Sequence, residues 1–128
     1  MKPDELEKII SEAFENKQSV SENSDKKILD AIKETIELTD SGNVRVAEKK
    51  NGKWSVNQWV KKAILLSFRV NKMTMSKGPY TTWYDKVPGK SVLWNESDWK
   101  KAGYRHVPNG VVRKGSFIAK GVVLMPCF

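Results

Sequence analysis

Cysteine and histidine are almost missing from this chain: Cys127 and His106 are the single examples of each among 128 residues. One cysteine excludes an internal disulfide and suits a reducing compartment, so a cytoplasmic protein is expected. One histidine beside one cysteine leaves too few ligands for zinc, which takes three or four in a cluster, and no metal is expected. A Cys–His catalytic pair is formally available, but no third group is placed to orient it. No apolar run approaches the roughly 18 to 20 residues that cross a bilayer, which argues against a membrane partner. The N-terminus carries Asp4, Glu5 and Glu7 and lacks the basic-then-apolar order of a signal peptide. A Gly-rich phosphate loop is also absent.

Charge is plentiful but unevenly placed. Residues 1–43 hold six lysines against eleven carboxylates, a net of −5, while residues 44–128 carry a net of +13. A basic body of that strength suits an anionic partner: nucleic acid, a phosphorylated cofactor or a polycarboxylate. Scattered lysines on a solubilising surface give the same total. A nucleic-acid-binding module would show affinity that falls steeply with salt. The lysines, however, are spread over elements of every kind and no recognition helix stands out.

Taken in order, Leu6, Ile9, Ile10, Ala13 and Phe14 make one helical stripe. Pro3 and the neighbouring acids suit its first turn. After a polar loop over 17–23, Ser24 is the expected N-cap of a second helix with the stripe Ile28, Leu29, Ile32, Ile36, stopped by Gly42. The two form an acidic hairpin suited to packing and assembly. Asn51-Gly52, between Val44–Lys49 and Lys53–Val56, is the favoured two-residue turn of a β-hairpin. A third helix is expected over 57–69, with Val60, Ala63, Ile64 and Phe68 inward and Trp59 and Leu65 widening that face. Residues 73–88 lose periodicity. Asp85 and Lys86 read as a local surface ion pair. Asn95 to Gly103 reads as a short helix capped at both ends. The five tryptophans fall on unlike elements, so they are expected to be core and interface aromatics rather than a base-stacking platform.

The last segment repeats every six residues. Val112, Ile118 and Leu124 share one column, Val111, Phe117 and Val123 the one before, and Gly115 and Gly121 a third. An aliphatic residue at a fixed place in a six-residue unit is the pattern of a hexapeptide β-helix, in which about three units close one turn. A pair of ordinary strands with glycine turns fits the same residues. On the coil reading, Gly110, Gly115 and Gly121 serve as turns. One turn cannot bury its own apolar face, so the chain reads as the front of a longer solenoid whose open end would associate.

Several segments resemble a known family in linear order. They are Arg45-Val-Ala-Glu-Lys, Gly52-Lys-Trp, Gln58-Trp-Val-Lys-Lys-Ala-Ile-Leu-Leu-Ser-Phe-Arg69, Tyr84-Asp-Lys-Val-Pro88, Gly103-Tyr-Arg105, Val112-Arg-Lys-Gly-Ser-Phe-Ile-Ala119 and Val123-Leu-Met-Pro126. Together they look like the N-terminal part of tetrahydrodipicolinate N-succinyltransferase. The resemblance implies an α+β fold: a mainly helical domain with a β-hairpin over 1–103, then over 104–128 the incomplete first turn of a left-handed parallel β-helix. It implies an acyltransferase of bacterial diaminopimelate and lysine biosynthesis that moves a succinyl group from succinyl-CoA to tetrahydrodipicolinate. It also implies homotrimers with active sites between subunits.

The same resemblance assigns one residue. The family's substrate-binding arginine sits in a Gly-aromatic-Arg-x-Val-Pro context, here Gly103-Tyr104-Arg105-His106-Val107-Pro108, so Arg105 is expected to bind a substrate carboxylate. A planar guanidinium can hold a carboxylate through two parallel hydrogen bonds. In a desolvated site its loss would cost on the order of 2–5 kcal/mol of binding. The family's catalytic acid and CoA contacts are expected beyond Phe128. Asn109 and Gly110 depart from the proline- and alanine-rich linker of the family. A ligand-free assembly domain remains the other reading besides a nucleic-acid module.

Overall fold

Three helices form the only deeply buried core, as the apolar stripes of the first 70 residues require. The computed structural model describes every residue from Met1 to Phe128. Helix α1 (Pro3–Glu15) buries Leu6, Ile9, Ile10 and Ala13, with Pro3 at its first position and Asp4 and Glu5 in its first turn. A 3-10 turn (Lys17–Ser19) leads to α2 (Lys26–Asp40).

The second helix starts one residue later than expected. Asp25, not Ser24, is its N-cap, accepting from the Lys27 N–H at 2.7 Å. The Ser24 hydroxyl instead accepts from the Ser21 N–H and closes the preceding turn. A carboxylate at that position also complements the helix dipole. The inward face is rotated too. Ala31, Ile32, Thr35 and Thr39 are buried, while Ile28, Leu29 and Ile36 are half-buried. Threonine is tolerated there because each hydroxyl is satisfied within the helix, Thr35 by the Ala31 carbonyl and Thr39 by that of Ile36.

Strands β1 (Ala47–Lys50) and β2 (Lys53–Val56) pair antiparallel around Asn51-Gly52. Both turn residues have positive φ, +51° and +79°, as the expected turn demands. The Asn57 side chain donates to the Arg45 carbonyl and to Glu48, which ties the hairpin to the start of α3 (Gln58–Val70). In α3, Leu66 is fully buried and Leu65 is 45% exposed, so the inward face shared by Trp59, Val60 and Ala63 continues through Leu66 and Ser67. Ile64 and Phe68 are only half-buried.

The aperiodic segment is a second hairpin, β3 (Thr74–Lys77) with β4 (Thr82–Asp85). It has no buried face, so its sequence carries no alternation to read. Helix α4 (Glu96–Ala102) has the expected caps. Asn95 and Asp98 form a reciprocal capping box, and Gly103 ends the helix in the left-handed region.

From Gly103 the chain makes a circuit. Strand β5 (Arg105–His106) pairs parallel with β6 (Val123–Leu124), Arg105 opposite Val123, so the chain returns beside itself after eighteen residues. Left-handed backbone recurs at Gly103, Asn109, Gly115 and Gly121, every sixth residue. Asn109 rather than Gly110 takes the first of the internal corners. Gly110 has another role: a Cβ there would sit 2.6 Å from His106 Nε2. Midway between corners, His106, Val112, Ile118 and Leu124 are half-buried, whereas Val111, Phe117 and Val123 are exposed.

Candidate functional site

Arg105 lies on the first side of this circuit, directly after the cap of α4. Its backbone is fixed along one edge, by the returning strand. The Arg105 N–H donates to Val122 O at 2.9 Å, Val107 N–H to Leu124 O at 3.0 Å, and Gly121 N–H to Gly103 O at 2.8 Å. Tyr104 before it is buried against Trp94 and Trp99, with ring centroids 6.1 and 5.5 Å away. His106 after it turns inward and lies 5.8 Å from the Trp99 ring. Strand alternation therefore sends Arg105 outward, and the residue is exposed.

The four arginines differ in what they touch. Arg113 pairs with Asp85 at 2.6 Å, Arg69 donates to the Val20 and Gln18 carbonyls, and Arg45 lies over the Phe117 ring at 4.4 Å. The Arg105 side chain has no hydrogen bond, ion pair or ring partner within the chain. A rigid backbone carrying a free, permanently charged fork is a ready anion receptor. The Asp85–Arg113 pair also corrects the expected Asp85–Lys86 pair. Lys86 directs its ammonium to the Phe68 carbonyl at 2.6 Å, and only its backbone N–H serves Asp85. That N–H first, and Arg113 after it, hold the Asp85 carboxyl below its usual range.

A second cluster was not legible in the sequence. Asp40, at the C-terminus of α2, receives the Lys90 ammonium at 2.8 Å, the Gly115 N–H at 2.8 Å and Lys114 at 3.3 Å. Lys90 also donates to the Asp40 carbonyl, and Lys114 to Glu37. Burial works against the Asp40 charge, but Lys90, the Gly115 N–H and Lys114 outweigh it and hold the carboxyl low. Lys114 is likewise held protonated: burial opposes its charge, yet Glu37 and Asp40 push its pKa up. Burial, then the nearby Asp40 charge, push the Tyr104 phenol up, and its hydroxyl is buried without a partner.

These contacts partly account for the charge asymmetry. Lys62 pairs with Glu15, Lys72 with Glu22, and Lys90 and Lys114 with Asp40. The acidic hairpin is thus a partner of the basic body within one chain. No group of three or more His, Cys, Asp or Glu side chains is placed to hold a metal. Cys127 is exposed while the His106 ring faces inward, and the two do not pair. Trp94 and Trp99 stack edge to face at 4.9 Å and Trp59 is buried, but Trp54 is 70% exposed.

Comparison with known proteins fits this framework. The family model for the N-terminal region of tetrahydrodipicolinate N-succinyltransferase matches residues 5–70. The chain belongs to that family. Its relatives include proteins named 2,3,4,5-tetrahydropyridine-2,6-dicarboxylate N-succinyltransferase. The one from Pelagibacter ubique is 59% identical over 127 residues, spanning 97% of this chain and 46% of the relative. That from Agrobacterium fabrum is 51% identical over 126 residues, spanning 96% and 44%. That from Parvibaculum lavamentivorans is 46% identical over 127 residues, spanning 97% and 45%. The chain therefore spans just under half the length of these succinyltransferases.

The matched residues 5–70 comprise the three-helix body and the first hairpin, and the Arg105 strand lies outside them. Two of the clefts around the body of this succinyltransferase-family chain border its C-terminal half, and neither is lined by Arg105. One, of about 600 Å³, is bordered by Lys33, Lys72, Lys86 and Lys114, of which the last three already have partners. The other, of about 520 Å³, lies beside Asp40, Lys90, Trp94 and Tyr104. Arg105 faces open surface instead. No helix is long and apolar enough to cross a membrane.

Proposed function

We propose that this chain supplies a dicarboxylate-binding element, centred on Arg105, to an N-succinyltransferase that acylates tetrahydrodipicolinate with succinyl-CoA. The observation that carries the reading is the free guanidinium of Arg105 on a strand whose backbone is bonded to the returning strand before, at and after that residue. Family membership and the printed names of the relatives supply the reaction class.

The chemistry is direct acyl transfer. The amine of the ring-opened substrate attacks the succinyl thioester, the N–C bond forms, the C–S bond breaks and CoA leaves as the thiol. The amine must lose a proton in the process. Arg105 holds one substrate carboxylate and so fixes the amine; the proton acceptor is assigned to no residue of these 128. Because Arg105 is exposed, water weakens its grip, and other surfaces must close over the substrate for a tight complex. A homotrimer with sites shared between neighbours would provide them.

The circuit after Gly103 is read as the first turn of a left-handed parallel β-helix. Its eighteen-residue parallel register and left-handed corners every six residues support that reading. The division into a helical domain over 1–103 and coil over 104–128 follows from it.

Titration of the chain with 2-aminopimelate in a calorimeter tests the site. Arg105→Ala should weaken binding by about 1.5–3 kcal/mol, the range for hydrogen bonds to a charged group, which is less than a desolvated site would lose. Arg105→Lys should recover only part, because an ammonium cannot form the paired bonds. Equal binding by all three proteins would overturn the assignment.

A further inference from the structure

The Arg105 strand is not simply appended to the helical body. Besides the Glu37–Lys114 pair, two contacts run from the end of α2 to the circuit. The first is Asp40. Its two carboxylate oxygens bond the Gly115 N–H, at a corner of the circuit, and the ammonium groups of Lys90 and Lys114. Lys90 and Lys114 belong to two stretches that are themselves paired: Lys90 N–H donates to Val112 O, Lys114 N–H to Pro88 O, and Gly89 bridges Arg113 antiparallel. Asp40 therefore grips both members of a small antiparallel seam at once. The second contact is Phe117, two residues past that corner, which packs on Gly42 and beneath Arg45.

Lys90 also links the seam to the aromatic stack. It lies 5.9 Å from the Trp94 ring, and Trp94 packs on Trp99 and on Tyr104, the residue before Arg105. The Asp40 and Lys90 side chains are only 14% and 7% exposed. A pair this shielded is weakly screened and short in reach, so it fixes position better than a surface pair does. Removing the Asp40 charge leaves the Lys90 ammonium with only the backbone carbonyl of that residue to answer it in the seam.

We infer that Asp40 is a positioning residue for Arg105: by clamping Lys90, Lys114 and the Gly115 corner, it sets where the circuit, and the guanidinium on its first side, stand relative to the helical body. The inference rests on the dicarboxylate reading of Arg105. Asp40 itself touches no substrate in this account. Its charge is spent on two lysines and one backbone N–H.

The test uses the whole 128-residue chain with two variants. Asp40→Asn keeps the shape but removes the charge. The double variant Asp40→Asn/Lys90→Met also removes the stranded ammonium, so that it folds where the single variant does not. Two readouts are made on each: 2-aminopimelate affinity, and hydrogen exchange at the Arg105, Val107 and Gly121 amides relative to those of the β1–β2 hairpin. The expected result is exchange at least tenfold faster at the three circuit amides, with hairpin amides unchanged, and analogue binding about tenfold weaker. Asp40→Glu, which restores the charge, should recover part of both. Unchanged circuit exchange would overturn the inference whether or not the analogue binds. Faster exchange with unchanged affinity would also overturn it, since the seam would then be structural only. If the unmodified chain fails to bind the analogue, the dicarboxylate reading falls, and the exchange comparison still decides whether Asp40 holds the circuit.

Discussion

The three-helix body and the C-terminal circuit are ordered by different physics. In the body, Leu6, Ile10, Val60 and Leu66 are wholly shielded from water. In the circuit no residue of the inward column is; His106, Val112, Ile118 and Leu124 are all half-buried. The circuit is held instead by backbone bonds across an eighteen-residue return, by left-handed corners and by the Asp40 clamp. The body can thus stand on burial, whereas the circuit depends on directional bonds to its neighbours. That suits a segment proposed to hold one side chain, Arg105, in place.

The sharpest way to break this comparison is to cut equal volumes from both regions. Leu66→Ala should cost about 2–5 kcal/mol, the range for a fully packed aliphatic side chain. Ile118→Ala should cost about half as much, because a half-buried side chain has less transfer energy to lose and can leave little closed cavity. Urea unfolding followed by circular dichroism measures both. Equal losses would mean that the circuit has a packed core of its own.

Acid provides a milder probe. The folded-state carboxyl of Asp40 is held below the ordinary value of 3.8. A depressed carboxyl contributes stability that is present above its unfolded pKa and disappears as pH falls through the folded one. The seam should therefore loosen below about pH 4, and tryptophan emission should report it, because Trp94 lies beside Lys90. In Asp40→Asn that part of the acid transition should be missing. The body core, which has no titrating group, should hold to lower pH, so helical circular dichroism should fall after the emission changes. Coincident transitions in both proteins would remove the distinction.

How much of this was legible in the sequence follows the same division. Where a residue answers to its neighbours in sequence, the reading was good: the α1 stripe, the Asn51-Gly52 turn, the Asn95 and Gly103 caps and the six-residue period. It failed on three local points, the Ser24 cap, the Gly110 corner and the Asp85–Lys86 pair, and otherwise where the answer lies across the fold. The buried face of α2 runs through Thr35 and Thr39, which no hydrophobic stripe reveals. The β3–β4 hairpin has no buried face, so nothing alternates. Asp40 and Lys90 meet across fifty residues, and no local pattern brings them together. For the site, Arg105 came from resemblance to a family. Its lack of any internal partner came only from the structure.

The smallest effect sharpens the comparison most finely, at the corners. Asn109 is the one corner that is not glycine, at φ +72°. Asn109→Gly should change stability by less than about 0.5 kcal/mol. Glycine relieves the left-handed strain but loses more freedom on folding, and asparagine already tolerates that region well. Asn109→Ala should cost about 1 kcal/mol, because alanine suffers the strain without a side chain that bonds locally. The next residue separates conformation from space. Gly110 has no positive φ, yet a Cβ there would press on the His106 ring. Gly110→Ala should therefore disturb His106, and its ring signals should shift in a proton NMR spectrum. Asn109→Ala should leave those signals in place while lowering the unfolding midpoint. If both substitutions move His106 alike, the corner and the inward ring are one unit, and the circuit is more tightly packed than its exposure suggests.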